Sequence, residues 1–394
     1  MASIKRENGP RGPRWRVAYR RPDGSPTSKR FDRRHAAEDF AAEVEHTRRA
    51  GTYVDPAGPR TTVADMTARW AATAAHKPST IYTRDGDLKN HVLPALGRHR
   101  LGQVTPLELR AFMRELEAKM APSTAARIWS WVSAIFAAAV EAGMLARSPA
   151  AGLGWPKVPR PSLVPLDSAQ VEALRAHMPA HYQPAVSLAA DAGLRLGEVT
   201  GLTPERIGFL ARQRVIRVER QLRSQPAPAG LALPKGDHSR VVPVPEATTE
   251  ALAEHLARFS RARVPDRVSG GTAELVFATN RGGPVLAAIL ESALRRAAAQ
   301  AGLPPGIRFH DLRHYYAAVL IDAGLAEREI GIRLGHSAQA VTARYGHLFP
   351  TADDRTRAAV EAAIAARRDP KLGRDLVAAQ SDAERFRRSQ TDLK

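Results

Sequence analysis

Residues 309–316 read FHDLRHYY, and further on come 333–337, RLGHS, and 341–348, VTARYGHL. His310 and Arg313 stand three apart, so on a helix they share one face. Tyr345 follows His336 by nine residues. Two earlier stretches carry further cations: 192–202, AGLRLGEVTGL, with Arg195, and 233–245, LPKGDHSRVVPVP, with Lys235. Arg195 comes two residues after Gly193, a helix-ending residue type, which predicts an exposed turn there. Lys235 lies between two short extended segments.

These residue types suit chemistry on a phosphodiester. The substrate is an anion that repels a nucleophile, and in-line attack places more charge on its non-bridging oxygens. Two guanidiniums can offset that charge in a planar fork. A phenol has a pKa of about 10 and becomes a nucleophile when cations depress that value and a base takes its proton. A lysine can protonate the leaving 5′ oxygen. Taken singly, each residue also has an ordinary explanation: a surface arginine, a helix-start pair, a hairpin lysine, a packed tyrosine. Tyr315 and Tyr316 directly follow the HDLRH run and are rival nucleophiles, although at least one should face the core of its helix.

Taken together and in this order, Arg195, Lys235, His310, Arg313, His336 and Tyr345 resemble the active site of the tyrosine recombinases, the phage integrase family. The resemblance is strong over about residues 165–350 and architectural elsewhere. It implies that Tyr345 is the nucleophile and the other five are catalytic. It implies cleavage through a 3′-phosphotyrosyl bond, exchange through a Holliday junction on a homotetramer, and no cofactor. Glu198 occupies a position where the family often has an acidic residue that orients the active site; a helix-start carboxylate is the plainer explanation. Tyr315, Tyr316 and Ala192 depart from the family's usual residues without touching the six. A type IB topoisomerase, which shares this chemistry, and a non-catalytic DNA-binding regulator are the alternatives.

Composition agrees. Lys plus Arg number 59 against 40 Asp plus Glu, a net charge of +19, which predicts a polyanionic partner. Double-stranded DNA is preferred to a membrane, because no long uninterrupted apolar run is present and the first residues lack the apolar stretch of a signal peptide. The absence of cysteine excludes disulfides and thiolate chemistry. A cytoplasmic protein is expected. No GxxxxGK[ST] loop and no carboxylate cluster for a two-metal nuclease stands out.

The chain reads as three domains and a tail. Residues 1–58 form a small basic α+β domain. Trp15, Val17 and Tyr19 alternate with Arg16, Ala18 and Arg20 as a strand, Pro22-Asp23-Gly24 marks a turn, Thr27 to Phe31 returns, and a helix runs from Arg33 to Arg49. After a linker at 53–60, residues 62–150 read as four helices, with Ser79-Thr80 and Ser123 as expected caps. The proline-rich run 144–165 is the clearest linker. Residues 164–350 form an α+β catalytic domain with strands at 215–218 and 241–244, and 351–394 form a tail whose last dozen residues are expected to be disordered. By resemblance, 1–58 is an arm-type DNA-binding domain, 62–150 an all-α, SAM-like core-binding domain that clamps DNA with the catalytic domain, and DNA-bending or directionality factors are possible partners.

Overall fold

The computed structural model describes residues 2–9, 12–20, 26–49, 58–158, 163–210, 213–225, 227–236, 239–349 and a few between 356 and 365. The expected turn at Pro22-Asp23-Gly24, linker residues 53–57 and the charged tail beyond 365 lie outside the described residues. The chain divides into two compact units, Met1–Pro161 and Ser162–Lys394.

The first unit opens with an antiparallel sheet of β1 (Ser3–Gly9), β2 (Gly12–Arg20) and β3 (Pro26–Phe31), in that order, followed by α1 (Arg34–Arg49). Val17 and Tyr19 alternate inward from β2 and pack with Ala37 and Val44 of α1 in a small separate core. The register pairs Lys5 with Arg16 and Arg16 with Arg30, so the sheet carries cations side by side. The first strand, SIKRENG, has no apolar alternation. An edge strand needs none, which is why periodicity alone leaves it unassigned.

The helices that follow are α2 (Val63–Thr73), α3 (Pro78–Asp87), α4 (Leu93–Leu96), α5 (Pro106–Lys119) and α6 (Pro122–Glu141). A π turn at Leu88–Val92 joins α3 to α4. Thr105 caps α5 with the reciprocal Glu108 bond of a capping box. The expected caps at Ser79-Thr80 and Ser123 are corrected: α3 begins at Pro78 and α6 at Pro122. Proline is favoured at the first helical position, since its fixed φ suits the helix and its missing N–H is not needed there. Among the described residues α6 is the one helix long and apolar enough to cross a membrane. Its Ile128, Trp129, Val132, Ile135 and Phe136 are buried with Leu109, Phe112 and Leu116 of α5 in the bundle core. Asp87 is held among them by Arg127 at 2.8 Å and the Trp131 indole at 3.0 Å. Burial raises its pKa, but these bonds outweigh burial and the net shift is downward. The linker expectation for 144–165 needs amending at its start, because Met144, Leu145, Ala150 and Leu153 pack against this core.

The second unit begins with α7 (Ser168–His177), α8 (Gln183–Ala192) and the single short turn of α9 (Leu196–Thr200). Strands β4 (Val215–Val218), β5 (Gln221–Arg223), β6 (Gly230–Ala232) and β7 (Arg240–Pro243) then form two antiparallel pairs, β4 with β7 and β5 with β6. The helix α10 (Glu246–Arg258) leads to a third pair, β8 (Ala262–Pro265) and β9 (Thr272–Leu275). Then come α11 (Ala287–Gln300), α12 (Phe309–Asp322), α13 (Glu327–Leu334) and α14 (Ala338–Tyr345). Helix α12 packs along α8, and one continuous core joins Leu188 and Ala192 of α8, Phe309 and Leu312 of α12, Leu334 and Tyr345. The fold is therefore multidomain and mixes helix with sheet, as expected.

Candidate active site

Gly193 ends α8 in the left-handed region at φ +61°. That conformation favours glycine, and a Cβ there would also stand 2.3 Å from Cδ1 of Tyr316. The chain then turns sharply and delivers Arg195 at the start of α9. Its side chain is mostly buried. Arg195 Nη1 donates to Glu198 at 2.9 Å, its backbone N–H donates to the same carboxylate at 2.8 Å, and Nη2 donates to the carbonyl of Gly335 at 3.3 Å.

Glu198 is itself buried and receives a second arginine. Arg240, at the start of β7, donates to both carboxylate oxygens at 3.0 and 2.6 Å. Its Nε donates to the carbonyl of Arg333 at 2.8 Å. Burial works against the ionised carboxyl of Glu198, but Arg240 and Arg195 win and hold its pKa at about 2. One buried carboxylate thus fixes two guanidiniums and ties the α9 turn to the end of α13. The support expected of Glu198 has this geometry behind it. Arg240 is a residue that sequence reasoning missed, although it lies within the LPKGDHSRVVPVP stretch. Its position directly before an apolar β-branched run is the signal that could have flagged it.

Arg313 projects from α12 and is fully buried. Its terminal nitrogens donate to the carbonyls of Gly193 and Leu334, the last residues of two helical segments. Nη2 also faces His336 Nε2 at 3.3 Å. Burial, then Arg195 and Arg240, lower the Arg313 pKa to about 9, so it stays charged at neutral pH in a strongly positive surrounding. His336 follows Gly335, which ends α13 at φ +62°. Burial, then Arg313, Arg195, Arg344 and Arg240, lower its pKa to about 4. Neutral His336 accepts from Arg313 through Nε2 and so carries its proton on Nδ1. Among the described residues, neither that Nδ1 nor Arg313 Nε has a hydrogen-bond partner.

His310 is the second residue of α12 and is exposed by its surface area. Desolvation and the charges of Arg313, Arg344, Arg195 and Lys235 lower its pKa to about 4. Lys235 stands apart from the other five. It occupies the exposed turn between β6 and β7 and is near enough for its charge to act on His310.

Tyr345 closes α14 and is fully buried. Burial raises the pKa of its phenol, while Arg313, Arg344 and Arg195 pull it down in part. Its hydroxyl lies 2.7 Å from His314 Nδ1. His314 was also unassigned from sequence despite lying inside FHDLRHYY. The rival tyrosines are engaged elsewhere. Tyr316 is buried with its ring against Gly193, and the Tyr315 hydroxyl lies 3.0 Å from Ser168 Oγ.

A cluster of guanidiniums, imidazoles and one phenol is chemically suited to an anionic phosphoester, and the comparisons give the chain a family. The phage integrase family matches residues 165–351, and the phage integrase central domain matches 61–154. The chain belongs to the phage integrase family of tyrosine recombinases and is a site-specific DNA recombinase.

A putative prophage phiRv2 integrase of Mycobacterium tuberculosis is 27% identical, over 85% of this chain and 88% of that protein. A tyrosine recombinase XerC-like protein of Caldanaerobacter subterraneus is 24% identical, over 73% of this chain and 80% of that protein. Among solved structures, the Tn1549 transposon integrase with circular intermediate DNA aligns with a TM-score of 0.64 at 21% identity, covering 76% of this chain and 99% of that one. A lambda integrase tetramer on a Holliday junction aligns at 0.55 and 18% identity, covering 82% and 91%. The topoisomerase and regulator alternatives are not favoured by these relatives.

Proposed function

We propose that the enzyme cleaves double-stranded DNA through Tyr345, forming a 3′-phosphotyrosyl intermediate, and that it integrates a phage or other mobile element at attachment sites. The observation that carries this reading is the setting of the Tyr345 phenol: burial raises its pKa, while the charges of Arg313, Arg344 and Arg195 act on it and pull that value down in part. The same cations would attract a scissile phosphate and offset the charge that grows on its oxygens. Arg313 Nε and His336 Nδ1 are suited to donate to those oxygens. His310 is suited to bond a phosphate oxygen or to take a proton, and Lys235 to protonate the leaving 5′ oxygen. Guanidiniums and Lys235 take the part that metal ions play in other phosphoryl-transfer sites, so the reading includes no cofactor.

The wider assignment follows the same line. Residues 1–58 are an arm-binding domain, 62–150 a core-binding domain, 164–350 the catalytic domain and 351–394 a C-terminal tail. The cations side by side on β2 and β3 support DNA contact by the first of these. A homotetramer on synapsed DNA is supported by the lambda integrase tetramer that this chain resembles. DNA-bending or directionality factors would complete the assembly. Tyr345→Phe is the test. Nicked duplexes tiled across the DNA flanking the coding region should yield one that the native protein cleaves with a covalent adduct. The variant should bind that duplex with unchanged affinity and form no adduct. A protease-sensitive DNA adduct that persists in the variant would move the nucleophile to Tyr315 or Tyr316.

A further inference from the structure

His314 has no part in the roles assigned above. It is 4% exposed and follows Arg313 on α12. Its ring stands edge-on to His310 with centroids 4.5 Å apart, and to Tyr345 at 5.6 Å. Its Nδ1 is the atom that meets the Tyr345 hydroxyl, at 2.7 Å.

We propose that His314 is the general base that takes the phenol proton as Tyr345 attacks DNA, a role that rests on Tyr345 being the nucleophile. Three observations carry it. A general base must lie within hydrogen-bond reach of the proton it removes, and Nδ1 does. An imidazole that accepts a phenolic hydrogen bond through Nδ1 must be neutral and hold its own proton on Nε2. The surroundings enforce that state: burial, then His310, Arg344, Arg313 and His336, lower the His314 pKa to about 3. Helix α12 contributes His310 and Arg313, α14 contributes Arg344 and Tyr345, and the turn between α13 and α14 contributes His336.

So low a value makes a weak base while the pocket holds only cations. A phosphodiester changes that balance. Its negative charge offsets Arg313 and Arg344 and raises the proton affinity of the imidazole. The base therefore strengthens when substrate is in place. In cleavage the Tyr345 Oη–P bond forms and the P–O5′ bond breaks. The phenol proton passes to His314 Nδ1, and a proton from Lys235 passes to O5′. In rejoining, the incoming 5′ hydroxyl gives its proton to Lys235, the Oη–P bond breaks, and Oη recovers its proton from His314.

The experiment measures single-turnover adduct formation on the nicked duplex that the native protein cleaves, from pH 6 to 9. His314→Asn retains an oxygen able to accept the hydroxyl's hydrogen bond but cannot take the proton. Its rate at pH 7 should fall by about 10²- to 10⁴-fold, the usual contribution of a positioned base. It should then climb about tenfold per pH unit, as hydroxide replaces the base, while the native rate stays flat. DNA affinity and melting temperature should remain near native. A bridging 5′-phosphorothiolate substrate, whose thiolate leaves without an acid, should rescue Lys235→Ala and leave His314→Asn slow.

A His314→Asn enzyme with a native rate and a flat profile would reduce His314 to a positioning residue and overturn the proposal. Rescue of His314→Asn by the phosphorothiolate would place it on the leaving-group side and overturn the proposal equally. Should the variant not fold, His314→Gln takes its place: the same fall at pH 7 and climb with pH support the base, and a native rate with a flat profile overturns it. An adduct that survives Tyr345→Phe removes the parent reading and the proposal together. A Tyr345 adduct indifferent to His314 removes the proposal alone.

Discussion

The N-terminal sheet and the catalytic pocket are both rich in arginine, but they hold it differently. On the sheet, the side chains of Arg16 and Arg30 keep 38% and 62% of their surface exposed, and both pair with Glu7. In the pocket, Arg313 and Arg240 are buried, and their contacts are helix-end carbonyls and the Glu198 carboxylate. Water screens the first set, so in the proposed arm-binding role its charges are weak, additive phosphate contacts. The second set is desolvated, and burial first, then the field of these cations, shifts the titratable groups of the site: His310 and His336 fall to about 4 and Arg313 to about 9. Positive charge alone therefore does not mark an active site. Burial that turns charge into a shifted protonation state does.

That contrast can be broken by exchanging effects between the regions. The largest consequence is expected from the pocket arginines. Arg195→Ala should slow strand cleavage by at least about 10²-fold, as loss of one oxyanion donor does, while DNA affinity falls far less. Arg313→Ala should do the same and also lower the melting temperature, because it strips the donors from Gly193 and Leu334. Single-turnover cleavage beside equilibrium binding checks both. Parallel losses of rate and affinity would make these arginines ordinary phosphate contacts and erase the contrast.

Next comes the carboxylate beneath them. Glu198→Gln leaves Arg195 and Arg240 without their counter-charge, and breaking a buried pair costs about 3–5 kcal/mol. Its pKa is depressed to about 2, so the carboxylate's contribution to stability is present above the unfolded value and is lost as pH falls towards 2. Melting curves from pH 7 to 3 should show the native protein losing stability that Glu198→Gln already lacks. Identical acid profiles would detach Glu198 from the stability of the site.

The smallest effect on chemistry is expected from removing residues 1–58. Cleavage of a short core duplex should be nearly unchanged. Full recombination should drop, and footprints over the attachment region should shrink. Identical footprints for the full chain and the truncation would leave the N-terminal cations as a nonspecific extension.

How much of this was legible in the sequence divides along the same physical line. The helices of 62–150 were readable because their apolar residues recur at helical spacing and meet in one core. The six candidate site residues stood out because motif order survives without knowledge of contacts. His314 and Arg240 lie in the same stretches of chain and carried no role, because their partners, Tyr345 and Glu198, come from elements 31 and 42 residues away. Spacing within a helix gives the face of a residue, not what another element brings to it. Strands β5 and β6 escaped because each is three residues long. Periodicity has nothing to act on over that length.

The central claim is that Tyr345, enclosed by buried cations, is the residue that joins to DNA. The direct measurement is mass spectrometry of the covalent protein–DNA adduct trapped on the nicked duplex, after digestion of both protein and DNA. The account predicts a single modified peptide with the 3′-phosphonucleotide on Tyr345. Modification at Tyr315 or Tyr316, or at any residue outside the pocket, would contradict it.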